Sequence, residues 1–168
     1  MKFIVDTPLG GLAKWLRFCG FDAAVQPLAG GRVGSLPEPR AATRLLTLQK
    51  SLGRLHREDI IILSASTPEA QLAEVLQRLN ISRRMINPMS RCVKCNEPLR
   101  PASREAVAGR VPEYVLHTQK EFYECPACRR LYWPGSHVTG ISHKVLEALR
   151  RQAPEPSNAA CGNQRSGP

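Results

Sequence analysis

The sequence lacks any apolar run near the roughly 18 residues that a membrane span requires, and its opening MKFIVD lacks the charged-then-apolar layout of a secretion signal. Together these absences predict a cytoplasmic chain that no membrane holds. Aromatic residues are few, at 5%, and no interleaved aromatic and basic run marks a known RNA-recognition signature. Long low-complexity stretches are also missing. With 42% hydrophobic residues, the 168-residue chain has material for a compact domain and a smaller stapled one. Acidic side chains are the scarce charge, 14 against 24 Lys and Arg. The shortage is greatest late in the chain, where residues 80 to 152 hold 13 basic and six acidic side chains, against 10 and seven before them. A net charge of +10 favours polyanionic partners, because neutralised phosphates release counterions from nucleic acid.

What the sequence does contain is paired cysteine. In a reducing compartment six cysteines seldom mean disulfides, so Cys92 with Cys95 and Cys125 with Cys128, each pair spaced CxxC, point to a metal. The 29 residues from Asn96 to Glu124 separate the pairs. Each CxxC forms a tight knuckle whose backbone N–H groups face thiolate sulfur, and two knuckles complete a tetrahedral site suited to Zn²⁺. Four thiolates leave no open coordination position. The ion is therefore expected to be structural, replacing part of a core too small to stand alone. Cys19 reads as a core residue and Cys161 as a tail thiol.

Ahead of the cysteines, strand and helix patterns alternate. KFIVD predicts a buried strand ending at Asp6, after which Thr7 is expected to cap a helix with Pro8 first, an apolar stripe of Leu9, Leu12, Ala13 and Leu16, and a stop at Gly20. A strand follows at Ala23 to Gln26, then a loop over residues 27 to 40 with three Gly and three Pro, a short helix, and a strand over Arg44 to Thr47. A helical turn leads to the strand DIIIL at 59 to 63, and Thr67-Pro68 opens a helix running to Leu79. The pattern predicts an α/β fold, a mostly parallel sheet flanked by helices on both faces and followed by the small ribbon module. In such sheets ligands bind beyond the carboxyl ends of the strands. That rule gathers Asp6, Thr47 and Glu69 at one edge and sends Asp22 and Asp59 to the other. The expected domains are residues 1–80, a ribbon over 91–137, a C-terminal helix over 140–152 carrying Ile141, Val145, Leu146 and Leu149, and a disordered tail over 153–168. Residues 80 to 90 read as a linker.

Taken in order, MKFIVDTPLGGLAKWLRFCGFD, the LLT of Leu45 to Thr47, SRCVKCNEPL, VPEYV and EFYECPACRRLYWPGSH resemble the Mut-seven C-terminal ribonuclease family, over about residues 1 to 147. The resemblance implies a PIN-like domain followed by a zinc ribbon, an RNA substrate, and phosphodiester hydrolysis assisted by Mg²⁺ or Mn²⁺. Such hard cations take several carboxylate oxygens at one point. Asp6 matches the family's first acidic position. Where the family follows LLT with Arg-Asp, this chain has Leu48 and Gln49, and a neutral amide supplies no charge to balance a dication. The acidic residues that the family carries ahead of that strand give way to GGRVGSLPEPR, in which Glu38 is the one substitute.

The expected catalytic set is thus Asp6, Glu38 and Glu69, a depleted one. Lys14, Arg17 and Thr47 are the expected substrate-binding residues, with a solvated helix face as the alternative for the two cations. Asp6 also reads as a plain helix cap. His137 and His143 read as structural, or as groups near RNA or metal, and Trp15, Tyr132 and Trp133 as core or as stacking platforms. Two functions stay open. One is a metal-dependent ribonuclease, and the other a noncatalytic RNA-binding or ribosome-associated protein on a decayed nuclease scaffold.

Overall fold

The computed structural model describes residues 1–28 and 36–135, together with positions 145, 147 and 149. Four short strands, β1 (Lys2–Val5), β2 (Asp22–Val25), β3 (Thr43–Thr47) and β4 (Ile60–Ile62), pair in parallel in the order β2-β1-β3-β4. A parallel sheet is covered on both faces, which is why its strands are apolar nearly throughout. Phe3 and Val5 of β1, Ala23, Leu46 and Ile61 point to one core, shared with helices α1 (Gly10–Phe18) and α2 (Pro68–Arg78). Ile4 and Leu45 point to a second, smaller core closed by Leu28, Leu36 and Leu52, the last from a 3₁₀ helix over Lys50–Leu55. Phe3 and Phe21 meet edge to face at 5.6 Å, an arrangement favoured by the ring quadrupoles.

Both α-helices end by the same device. After α1, Gly20 N–H donates to the Arg17 carbonyl and Phe21 N–H to Leu16; after α2, Asn80 donates to Gln77 and Ile81 to Leu76. These are Schellman ends, with Gly20 (φ 91°) and Asn80 (φ 48°) in the left-handed region and Phe21 and Ile81 buried just beyond. Gly20 is also closely packed. A Cβ there would collide with the Asn87 carbonyl.

Several local expectations change. Thr7 does not cap α1: Asp6 caps a 3₁₀ turn over Thr7–Leu9 through its own carboxylate, and α1 starts only at Gly10. Tertiary bonds that fix the Asp6 side chain decide this, as described below. Thr67 does cap α2, its hydroxyl accepting from Ala70 N–H, with Pro68 in the first turn. Among the described residues no short helix directly precedes β3; residues 40–42 turn instead, closed by Thr43 N–H to the Arg40 carbonyl. The segment read as a linker is packed down, with Ile81 buried, Ile86 against the main core, and Asn87 N–H donating to the Cys19 carbonyl.

Beyond it, β5 (Arg100–Ala102), β6 (Phe122–Glu124) and β7 (Leu131–Tyr132) form a three-stranded antiparallel sheet in that order. Short helices α3 (Arg104–Val107) and α4 (Glu113–Thr118) fill the stretch between the cysteine pairs. Besides Cys92 and Cys125, the buried residues of this unit among those described are Val107, Val111, Val115 and Phe122, with Trp133 among the residues packed beside them. Val145 is helical and buried in the main core, and Leu149 packs against it. The remainder of the expected C-terminal helix, the tail, His137 and His143 lie outside the described residues. Among those described, no helix is long and apolar enough to cross a membrane.

Candidate functional site

Asp6 sits at the carboxyl end of the central strand and is 3% exposed. Four donors occupy its carboxylate. Oδ1 accepts from Thr7 N–H at 2.9 Å and Leu28 N–H at 3.1 Å; Oδ2 accepts from the Thr47 hydroxyl at 2.8 Å and the Gln49 amide at 2.7 Å. The same Gln49 nitrogen donates to the Leu28 carbonyl at 2.7 Å. Because both neighbours are pure acceptors, the amide must turn its nitrogen to them. Burial alone would raise the Asp6 pKa, but the bonds from Leu28, Thr47, Gln49 and Thr7 outweigh it and hold the acid below its ordinary range.

The arrangement does not fit a catalytic Mg²⁺ or Mn²⁺. Such ions need several free oxygen ligands, whereas here the lone pairs of Asp6 already face donors and Gln49 presents N–H rather than its carbonyl. Thr47 is fully buried, its hydroxyl donating to Asp6 and accepting from Gln49 N–H.

Asp6, Glu38 and Glu69 do not form a metal-holding group among the described residues. Glu38 is exposed and lies in the field of Arg57, whose guanidinium donates to the Pro37 carbonyl and, through two bonds, to Asp59. Asp59 leads into β4, so Glu38 belongs to the amino end of the sheet, opposite Asp6. Glu69 is exposed in the first turn of α2. It shares Asp6's end of the sheet, where Pro68 packs so closely on Gly11 of α1 that a Cβ there would stand 2.7 Å from it. Glu74, which the sequence did not single out, is also at this end. Its carboxylate accepts from Ser64 N–H and Ala65 N–H and pairs with Arg78 at 2.7 Å, holding the loop after β4. Residues 29–35, AGGRVGS, contain no acid to add.

Among the described residues the one group of three or more side chains able to hold a metal is Cys92, Cys95, Cys125 and Cys128. Their sulfurs lie within 4.8 Å of one another, and Cys92 and Cys128 are 3.6 Å apart. Tetrahedral Zn–S bonds of about 2.3 Å place sulfurs about 3.8 Å apart, so the cluster fits such an ion. The two knuckles repeat one design. Asn96 N–H returns to the Cys92 carbonyl and Arg129 N–H to Cys125, while Cys92 N–H reaches Glu97 and Cys125 N–H reaches Arg130. Asn96 (φ 68°) and Arg129 (φ 61°) make the reversal in the left-handed region. Burial would raise the Cys92 thiol, but the Tyr132 hydroxyl at 3.1 Å, the Cys95 N–H and neighbouring thiols bring it down to about 7. One ligand is thus disposed to ionise near neutrality.

The first knuckle is latched to the α/β domain. Arg17, expected to meet phosphate, is instead 9% exposed, donating to the Ala23 carbonyl and to the carbonyls of Val93 and Lys94 inside the knuckle. Asn96 adds a second tie, accepting from Ala23 N–H and donating to Asp22 at 2.6 Å, and Asp22 also faces Arg91 at 3.8 Å. Asn after the second cysteine was the sequence signal for this contact, since Asn tolerates the left-handed turn and carries both a donor and an acceptor. Lys14 stays exposed on α1.

Comparison with curated proteins and with solved structures found no match. The family model of the Mut7-C RNAse domain, however, covers residues 1–145, which takes in the sheet, the Asp6 pocket and both cysteine pairs. The chain belongs to the Mut7-C RNAse domain family.

Proposed function

We propose that this protein binds RNA on a ribonuclease-family scaffold without hydrolysing it, and that a structural zinc ion holds its four-cysteine module in a reducing, cytoplasmic setting. The observation that carries the reading is the Asp6 carboxylate, whose two oxygens are taken by four hydrogen-bond donors, one of them the Gln49 amide. A carboxylate so engaged offers no free oxygen to a divalent cation, and the acids nearest in the fold serve other bonds or stand exposed. Family membership and the basic surplus of the second half support RNA as the partner.

Metal-dependent RNA hydrolysis is the second reading. It is favoured by the family and by the placement of Asp6 and Glu69 at one end of the sheet. Incubation of metal-replete protein with labelled single-stranded RNA and Mn²⁺ separates the two. Retention of intact RNA, weakened by salt, is expected; cleavage that disappears in Asp6→Asn would overturn the proposal. Gln49→Asp supplies a positive control on the missing ligand. Its melting temperature should rise with Mn²⁺ while that of the natural protein does not, because a cation that binds only the folded state stabilises it.

A further inference from the structure

A groove of about 690 Å³ follows the seam between α1 and the cysteine module. Gly10 and Lys14 of α1 and Val25 of β2 form one wall; Lys94, Arg130 and Tyr132 form the other. Lys94 lies inside the first knuckle and Arg130 just past the second, so both knuckles build that wall. Lys14, Lys94 and Arg130 are exposed, and no ion pair engages any of the three among the described residues. Beneath them lies Arg17, its guanidinium held by the carbonyls of Ala23, Val93 and Lys94, and among the described residues no carboxylate lines the groove. Three exposed cations from three separate segments, none held in an ion pair among the described residues, form an anion path rather than a solvated helix face.

Its course matters as much as its charge. Val25 pairs in register with Val5, and Gly10 opens α1, so the groove reaches the carboxyl end of the sheet on the side of Asp6. Open parallel sheets take their ligands at that end. The Tyr132 hydroxyl, 3.1 Å from Cys92 Sγ, fixes its ring in the ribbon wall.

We propose that this groove holds the phosphodiester backbone of single-stranded RNA, with Lys14, Lys94 and Arg130 on successive phosphates and the Tyr132 ring against a base. This rests on the reading that the chain binds RNA. An unpaired strand fits because a fixed ring between cations stacks on an exposed base face, whereas a duplex keeps those faces covered.

The test uses the full-length, metal-loaded protein and a fluorescent single-stranded RNA, with affinity read by anisotropy over a salt series. Lys14→Glu, Lys94→Glu and Arg130→Glu are compared singly and together with Lys120→Glu, which reverses the same charge on an exposed residue outside the groove. Each groove variant is expected to weaken binding about fivefold or more, and the triple variant to flatten the slope of log affinity on log salt by about 2, on the order of 0.7 per lost phosphate contact. Lys120→Glu should stay within about twofold of the natural protein. Metal content and melting temperature are measured for each variant, and any Glu variant that loses metal is replaced by its Gln counterpart. If Lys120→Glu weakens binding as much as the groove variants do, the attraction is diffuse and the groove is wrong, while RNA binding stands. If the natural protein fails to bind RNA at low salt, the RNA reading falls, and this inference with it.

Discussion

At the scale of single residues, Asp6, expected as a catalytic acid or a plain helix cap, and Asn96, which the sequence did not single out, each join several elements through one side chain. The Asp6 carboxylate joins β1, the turn after β2 and the end of β3 through its bonds to Thr7, Leu28, Thr47 and Gln49. Asp6→Asn replaces one acceptor with a donor facing donors, and should cost about 1–3 kcal/mol of stability at neutral pH, read by denaturant unfolding. The pH dependence follows from the lowered pKa. Above an unfolded Asp value of about 3.9 the contribution is complete, and it is lost as pH falls through the lower folded value. Asp6 therefore adds no slope to stability between neutrality and about pH 5, and a steep one in stronger acid that Asp6→Asn should remove. Asn96 is tested by a pair of variants. Asn96→Ala meets both a left-handed backbone and the loss of two bonds to the α/β domain, so it should cost about 2–3 kcal/mol; Asn96→Gly, which relieves the backbone, should recover about 1 kcal/mol of it. Equal losses in the two would mean that the turn conformation contributes nothing.

At the scale of elements, the contrast between the two sheets explains why the second half needs a metal. β1 and β3 sit between two apolar layers, with Phe3, Val5, Leu45 and Leu46 all buried. The β5-β6-β7 sheet has four buried hydrophobic residues to hold it, too few to offset chain ordering without a staple. Chelation of the metal, or Cys125→Ser, should therefore unfold the three-stranded sheet and α4 while leaving α1 and the parallel sheet folded. Amide exchange would read this as lost protection confined to residues 91–135, alongside a metal-to-protein ratio near one before treatment. Exchange that rose equally across β1 and β3 would show instead that the two units unfold together. The helix ends belong to this scale too. Gly20 was legible as a stop because glycine adopts positive φ freely, but Asn80 was not, since the same Asn also fits a loop.

At the scale of the whole molecule, the two units are joined by a buried seam. Arg17 reaches from α1 to the carbonyls of Val93 and Lys94, Asn96 returns to Asp22 and Ala23, Gly20 admits the Asn87 carbonyl, and Val145 comes back into the main core. Coupling of this kind makes the first knuckle part of one side of the α/β domain. It also creates the basic groove, which neither unit has alone.

What the sequence determined by itself was whatever depends on local period and local chemistry. Apolar runs of strand length, the stripe of α1, the Thr67-Pro68 start of α2, and CxxC spacing each carry their physical cause within a few residues. Those features, with the motifs around them, were enough to identify the family. Tertiary structure alone decided the partners. Whether Asp6 is free or saturated depends on Leu28, Thr47 and Gln49, up to 43 residues away. Whether Arg17 meets phosphate or carbonyls depends on a knuckle 76 residues later. The reason is that a charged side chain is satisfied by whatever donor or acceptor the fold delivers, and the strand, helix and turn patterns of a sequence say nothing of which that will be.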